Sequence, residues 1–243
     1  VTCAAQGRVA TITLNRPEKL NALSVELGAE LRAAWPRFQA SDERVAIVTG
    51  AGDRAFTAGA DLKAAVPVDI WRFTPGIGVR VDKPVIAAVN GWCIGGGVCI
   101  VEYADICVAA DTAKFSYPEA KVGVSGGLIS SIAARIPHKI AMEFIMVGDE
   151  MTAQRAYEVG FVNKVVPQDQ VMAEAMRYAE KLQDLAPMVL SMLKRFTDDV
   201  INKGPSELAG IARRETEILR DSADFAEGRA AFAAKRTPVF KGE

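Results

Sequence analysis

Three short stretches carry residue types from which chemistry could be built. In Asn90-Gly91-Trp92-Cys93-Ile94-Gly95-Gly96-Gly97-Val98-Cys99, three glycines stand between an apolar run and an apolar helix start. Their N–H groups would be unobstructed at the positive end of that helix, where an oxygen gaining negative charge could be held; the glycines would equally serve close helix-strand packing alone. Phe56-Thr57-Ala58-Gly59-Ala60-Asp61-Leu62-Lys63 is a second small-residue turn, expected to enter another helix with Asp61 as its cap. Two such turns face to face would form a two-donor oxyanion hole, in which each donor stabilises a transition state by about 3–4 kcal/mol. Tyr117-Pro118-Glu119 places a carboxylate just after a proline. That position suits an ordinary first-turn helix residue, and equally a rigidly held general acid or base whose pKa partial burial would bring towards neutrality.

Few other chemistries remain open. The chain of 243 residues has one histidine, His138, which removes multi-histidine metal sites and leaves proton transfer to carboxylates. His138 follows Arg135-Ile136-Pro137 and reads as a surface turn residue. Four cysteines, Cys3, Cys93, Cys99 and Cys107, form no C-x-x-C pair and lie in apolar stretches, the pattern of reduced thiols in a cytoplasmic protein without structural metal. Acidic and basic side chains nearly cancel, 30 against 29, so no overall field favours nucleic acid or an anionic membrane. Arg8 to Leu14 alternates like a strand and not like a signal-peptide core. Pro84 to Val101 lacks charge, but Asn90-Gly91 and the glycine triplet divide it into strand, turn and helix start, arguing against a membrane span.

The elements that must position these stretches can be read in outline. Ser24 and Glu26 start an amphipathic helix running to about Phe38, with Pro36 at its fraying end. Val45-Ala46-Ile47-Val48, Val85-Ile86-Ala87-Ala88-Val89 and Ile106-Cys107-Val108-Ala109-Ala110 are continuous apolar runs ended by turn signals, as expected of α/β strands covered on both faces. Phe161 to Val166 reads as a further strand, and 168–236 as helical with a break at Gly204-Pro205. The expected organisation is an α/β core over 1–185 followed by a helical region over 186–243.

Taken in order, Leu14-Asn15-Arg16-Pro17-Glu18-Lys19-Leu20-Asn21-Ala22-Leu23, Ala58-Gly59-Ala60-Asp61-Leu62, Lys83-Pro84 through Asn90-Gly91 into the glycine triplet, and Phe115-Ser116-Tyr117-Pro118-Glu119 resemble the enoyl-CoA hydratase/isomerase (crotonase) family. The likeness continues through Gly148-Asp149, Thr152 to Ala156, Gly160-Phe161-Val162 and Lys235-Arg236-Thr237-Pro238-Val239-Phe240, covering essentially the whole chain. The resemblance implies a spiral of ββα units, a C-terminal helical trimerisation region, and a homotrimer or a hexamer built from two trimers. It implies an acyl-CoA thioester substrate with no separate cofactor, its carbonyl oxygen held by the N–H groups of Ala60 and Gly96, and Glu119 as proton-transfer group. Lys19, Leu20, Ala58 and Leu62 would line the CoA path. Lys235 would either reach CoA phosphate or adenine across a subunit boundary or remain a solvated tail lysine.

One departure matters. Hydratases of this family use two glutamates; the second falls on Glu119, whereas the first falls on Cys99, 20 residues earlier. Activating water needs two oriented groups more than moving one proton does, so enoyl-CoA isomerisation is slightly favoured over hydration, with acyl-CoA hydrolysis, decarboxylation or bare acyl-CoA binding as alternatives. Cys99 reads as a small packing residue beside the substrate. Glu102, one helical turn later, either replaces the missing carboxylate or is a satisfied structural group. Gly123 to Gly127 is about two residues shorter than the family's usual loop, and 64–81, with Trp71 and Phe73, forms either an acyl-pocket wall or a core contact.

Overall fold

A computed structural model describes all residues, Val1–Glu243. Strands β1 (Thr2–Gln6) and β2 (Val9–Leu14) form an antiparallel hairpin, and α1 (Val25–Ala40) follows. Ser24 caps α1 by accepting the Leu27 N–H at 3.2 Å. Pro36 lies inside α1 and does not end it. On its exposed position the ring removes only its own N–H, while Leu31, Trp35 and Phe38 keep the opposite face anchored in the core.

Three repeats of one pattern then build the body. β3 (Val45–Gly50) leads to β4 (Ala55–Thr57), β5 (Val85–Val89) to β6 (Trp92–Ile94), and β7 (Ile106–Ala110) to β8 (Lys114–Ser116). The first member of each pair joins a six-stranded sheet; the second joins a four-stranded sheet with β9 (Met151–Thr152). The first sheet runs β1-β2-β3-β5-β7-β10, where β10 is Lys164–Val166, and every pairing from β2 onward is parallel. Covered on both faces, all residues of β3 and β5 are buried, which explains their unbroken apolar runs. The β5–β6 corner sits directly on the β3–β4 corner: a Cβ on Gly91 would lie 2.3 Å from the Arg54 carbonyl oxygen, and Asn90 Nδ2 donates to the Gly50 oxygen at 2.9 Å. Stacked corners turn the repeats into a spiral.

Helix α2 (Gly96–Glu102) follows β6, and α3 (Glu119–Val122) follows β8. A 3-10 segment over Leu128–Ala134 leads to α4 (His138–Val147), whose exposed first residue is His138. After α5 (Ala153–Glu158), α6 (Val171–Gln183) packs Val171, Ala175 and Ala179 into the core. The segment after Pro84 therefore divides into β5, β6 and α2, and no helix is long and apolar enough to cross a membrane.

The C-terminal part is built differently. Helices α7 (Pro187–Val200), α8 (Pro205–Arg220) and α9 (Ala223–Ala233) add no residue to the continuous buried core, which ends at Ala179. Gly204-Pro205 starts α8 as expected, with Pro205 in its first turn. Helix α7 buries nothing and exposes Met188, Met192, Phe196 and Val200 at successive four-residue steps.

Candidate active site

The two small-residue turns touch. Gly59 has φ +82°, and a Cβ there would meet the Ile94 carbonyl oxygen at 2.8 Å, so both the backbone and the contact require glycine. Leu23 ties this turn down: its N–H donates to the Gly59 oxygen at 2.8 Å and its carbonyl accepts the Asp61 N–H at 2.9 Å. Ala60 lies between these partners, and its own N–H, on the other edge of the bridge, takes no part in it.

The expected helix after Asp61 does not form. The chain continues as irregular turns to a 3-10 helix at Ile70–Phe73. Asp61 caps a tight turn instead: its Oδ1 accepts the Lys63 N–H at 3.2 Å and its Oδ2 pairs with Arg16 at 3.3 Å. Ala60 thus presents its N–H without a helix dipole behind it.

On the other side, Gly96 is the first residue of α2, where an N–H has no intrahelical acceptor. All three triplet glycines are closely packed. A Cβ on Gly96 would press on Ile70 and Leu23, and one on Gly97 would stand 2.3 Å from Thr57 Cγ2. Gly95, at φ +54°, backs onto the candidate acid: its Cβ would lie 2.7 Å from Glu119 Oε1. Close packing is therefore present throughout the motif, in which the Gly95 N–H donates to the Ser116 oxygen at 2.9 Å and the Gly96 N–H stands at the start of α2.

Glu119 opens α3, directly after Pro118. It is half-buried, its Oε2 is enclosed without a hydrogen-bond partner, and burial raises its pKa from the ordinary 4.5 to about 7. A carboxyl group in this state is populated in both protonation forms near neutrality, as a proton carrier requires.

Cys99 lies on α2, fully buried, and its thiol is pushed well above the usual range, first by burial and then by the charges of Glu102 and Glu119. It is a neutral packing group beside Glu119, neither base nor thiolate. Glu102 is sealed from solvent: Ser131 Oγ donates to its Oε1 at 2.6 Å, Arg135 Nη1 donates to the same oxygen at 3.2 Å, and Arg135 also faces Glu207 of α8 at 4.0 Å. It does not supply the carboxylate missing at 99.

The remaining sequence candidates distribute unevenly. The Leu20 carbonyl accepts the Ala58 N–H at 2.9 Å, so these two stand together at the cradle, while Lys19 and Leu62 are exposed nearby in sequence. Lys235 follows α9 with φ +51°, its N–H bonded to the Phe232 oxygen, and none of its hydrogen bonds reaches the cradle within one chain. Phe73 is a core residue, packed on Gly28 and accepting Trp35 Nε1–H on its carbonyl at 2.9 Å; Trp71 packs on Gly210 of α8. Of the two readings of 64–81, Phe73 makes the core contact. Sequence reading missed Ile70, the first residue of the 3-10 helix, and the pairing of the Tyr117 and Ser125 hydroxyls at 3.3 Å.

Comparison with known proteins supplies the wider setting. The sequence model of the enoyl-CoA hydratase/isomerase family matches residues 4–74 and 76–243. Carnitinyl-CoA dehydratase of Escherichia coli O157:H7 is 39% identical, covering 97% of this chain and 96% of that protein. Among solved structures, carnitinyl-CoA hydratase from Mycobacterium avium superposes with a TM-score of 0.79 at 34% identity, covering 100% of this chain and 98% of the other. Enoyl-CoA hydratase from Mycobacterium tuberculosis H37Rv gives 0.77 at 32% identity, with coverage of 100% and 98%.

Proposed function

The chain is an enzyme of the enoyl-CoA hydratase/isomerase family, and from that premise we propose that it interconverts 3-hydroxyacyl-CoA and 2-enoyl-CoA thioesters, with Glu119 as the single proton-carrying carboxyl group. The observation that carries this reading is the state of Glu119: half-buried, titrating near 7, one oxygen against Gly95 and the other without a partner. In the dehydration direction the carboxylate takes a proton from Cα. The electron pair moves onto the thioester oxygen, held by the N–H groups of Ala60 and Gly96. The C–O bond at Cβ then breaks, Glu119 returns its proton to the departing oxygen as water, and the thioester carbonyl re-forms. One proton, carried by one group between two positions, balances the reaction.

The hydro-lyase direction is favoured by relatives 39% identical that are named carnitinyl-CoA dehydratase. The neutral thiol at 99 favours a second reading, in which Glu119 moves a proton from Cα of a 3-enoyl thioester to Cγ. The same cradle would hold the enolate in either case. Lys19, Leu20, Ala58 and Leu62 line the path for CoA, which enters as part of the substrate, so the reaction needs no separate cofactor. The apolar stripe of α7 is the surface through which copies of the chain assemble as a trimer or a dimer of trimers, and Lys235 would act on a neighbour's CoA.

The test offers purified enzyme 3-hydroxyacyl-, 2-enoyl- and 3-enoyl-CoA thioesters and repeats each assay with Glu119→Gln. Dehydration kcat/KM should rise with pH through about 7 as Glu119 ionises, and Glu119→Gln should lower turnover by about 10²–10⁴-fold. Turnover that survives this substitution overturns the assignment. Conversion of 3-enoyl substrate alone would select isomerisation.

A further inference from the structure

A water leaving or attacking Cβ needs a second group to orient it, and residue 99 does not provide one. Nor do the nearby polar side chains. Glu102 is held by Ser131 and Arg135 away from solvent. Thr57 Oγ1 donates to the Asn21 oxygen at 2.7 Å, and Ser116 Oγ donates to the Gly148 oxygen at 3.2 Å, so both hydroxyl protons are committed to the main chain.

The hydroxyls of Tyr117 and Ser125 are in a different situation. They stand 3.3 Å apart, one two residues before Glu119 and the other six residues after it. Ser125 Oγ also accepts the Gly127 N–H at 3.1 Å, which fixes it in the turn after α3. Two O–H protons serve one mutual bond, so whichever oxygen donates, one proton stays free to be given to a third oxygen. The Tyr117 ring is buried, and its phenol is held above its ordinary range by burial first and then, against the lowering effect of the Ser125 hydrogen bond, by the charges of Cys99 and Glu119, which places it within electrostatic reach of both site residues and keeps it a neutral donor.

We propose that the Tyr117–Ser125 hydroxyl pair orients the water or Cβ hydroxyl that exchanges a proton with Glu119, taking the part left open by Cys99. The inference rests on the reading of Glu119 given above, and it separates the two halves of the reaction. Removal of the Cα proton uses Glu119 and the amide donors alone; making or breaking the C–O bond also uses the pair.

Tyr117→Phe keeps the buried ring and removes only the hydroxyl, and Ser125→Ala reaches the same pair from an exposed residue. Each is assayed in two ways: hydration of a 2-enoyl-CoA, and exchange of Cα protons of a saturated acyl-CoA with D2O followed by NMR. Each variant should lose about tenfold or more in hydration kcat, the scale of one hydrogen bond to a reacting oxygen, with KM and Cα exchange within about twofold of the parent. Equal losses in both assays would mean that the pair only shapes the Glu119 turn, and unchanged hydration in both variants would mean that it has no part; either result overturns the proposal. If Glu119→Gln leaves Cα exchange intact, the reading of Glu119 fails instead, and the two failures are distinct.

Discussion

Glu119 and Glu102 are both carboxyl groups shifted far upward by burial, one to about 7 and the other to about 8, yet their surroundings have opposite consequences. Glu102 is closed in by Ser131 and Arg135 and linked through that guanidinium to Glu207 on α8. It joins three parts of the chain through Oε1, and although its Oε2 is unpartnered as well, its side chain is fully buried. Glu119 rests against a glycine that leaves it room, and neither of its oxygens is held by an ion pair. A raised pKa alone does not mark a working acid; the distinction lies in whether a partner has already claimed the group.

The largest effect that would break this contrast lies on the structural side. Replacing Arg135 with Met leaves two buried carboxyl groups without their cation, and the expected loss is about 3–5 kcal/mol in chemical denaturation at about pH 9, above the Glu102 pKa of about 8. A variant that unfolds at the parent's midpoint would show that Glu102 is not held by this pairing. Adding Glu102→Gln to Arg135→Met should recover part of the loss.

A smaller effect sharpens the catalytic side. Gly95→Ala would push a methyl group onto Glu119 Oε1 at a residue with φ +54°. Displacing the carboxyl by about 1 Å should cost about 10²-fold in kcat, measured at saturating substrate, against a stability change of about 1–3 kcal/mol. Unchanged kcat would mean that the contact with Gly95 does not set the position of the acid.

The mildest test uses pH. An acid whose folded pKa lies above its unfolded value of 4.5 binds more protons when folded, so its contribution to stability falls as pH rises from about 4.5 through the folded pKa. For Glu119 that decline ends near 7, and for Glu102 near 8. Glu119→Gln should therefore raise the melting temperature by a few degrees at pH 8 and little at pH 4. Glu102→Gln should show its additional change between pH 7 and 8. Identical pH profiles for the two variants would remove the distinction between the sites.

Much of this arrangement was legible before the fold was known. The strands β3, β5 and β7 announced themselves because burial on both faces demands unbroken apolar runs, and Glu119 was marked by its proline. The strands β4, β6 and β8 were not legible as a second sheet, since three residues each carry no usable periodicity. The small residues around Asp61 imitated a helix entry because Asp caps isolated turns by the same hydrogen bond that it offers a helix. The sealing of Glu102 was invisible as well: it depends on Arg135 and Glu207, whose approach is decided by tertiary packing and not by helical spacing.

The contact between the Gly59 turn and the Ile94 carbonyl has a consequence for how such a chain can diverge. Both proposed donors of the cradle belong to the main chain, so exchanging side chains at Ala60 or Gly96, for any residue but proline, neither supplies nor deletes an amide proton. Heritable change in the reaction is channelled to the surrounding side chains, at 99, 117, 119 and 125. A lineage can exchange one thioester transformation for another through a few substitutions there, while the backbone that receives the oxygen is inherited intact.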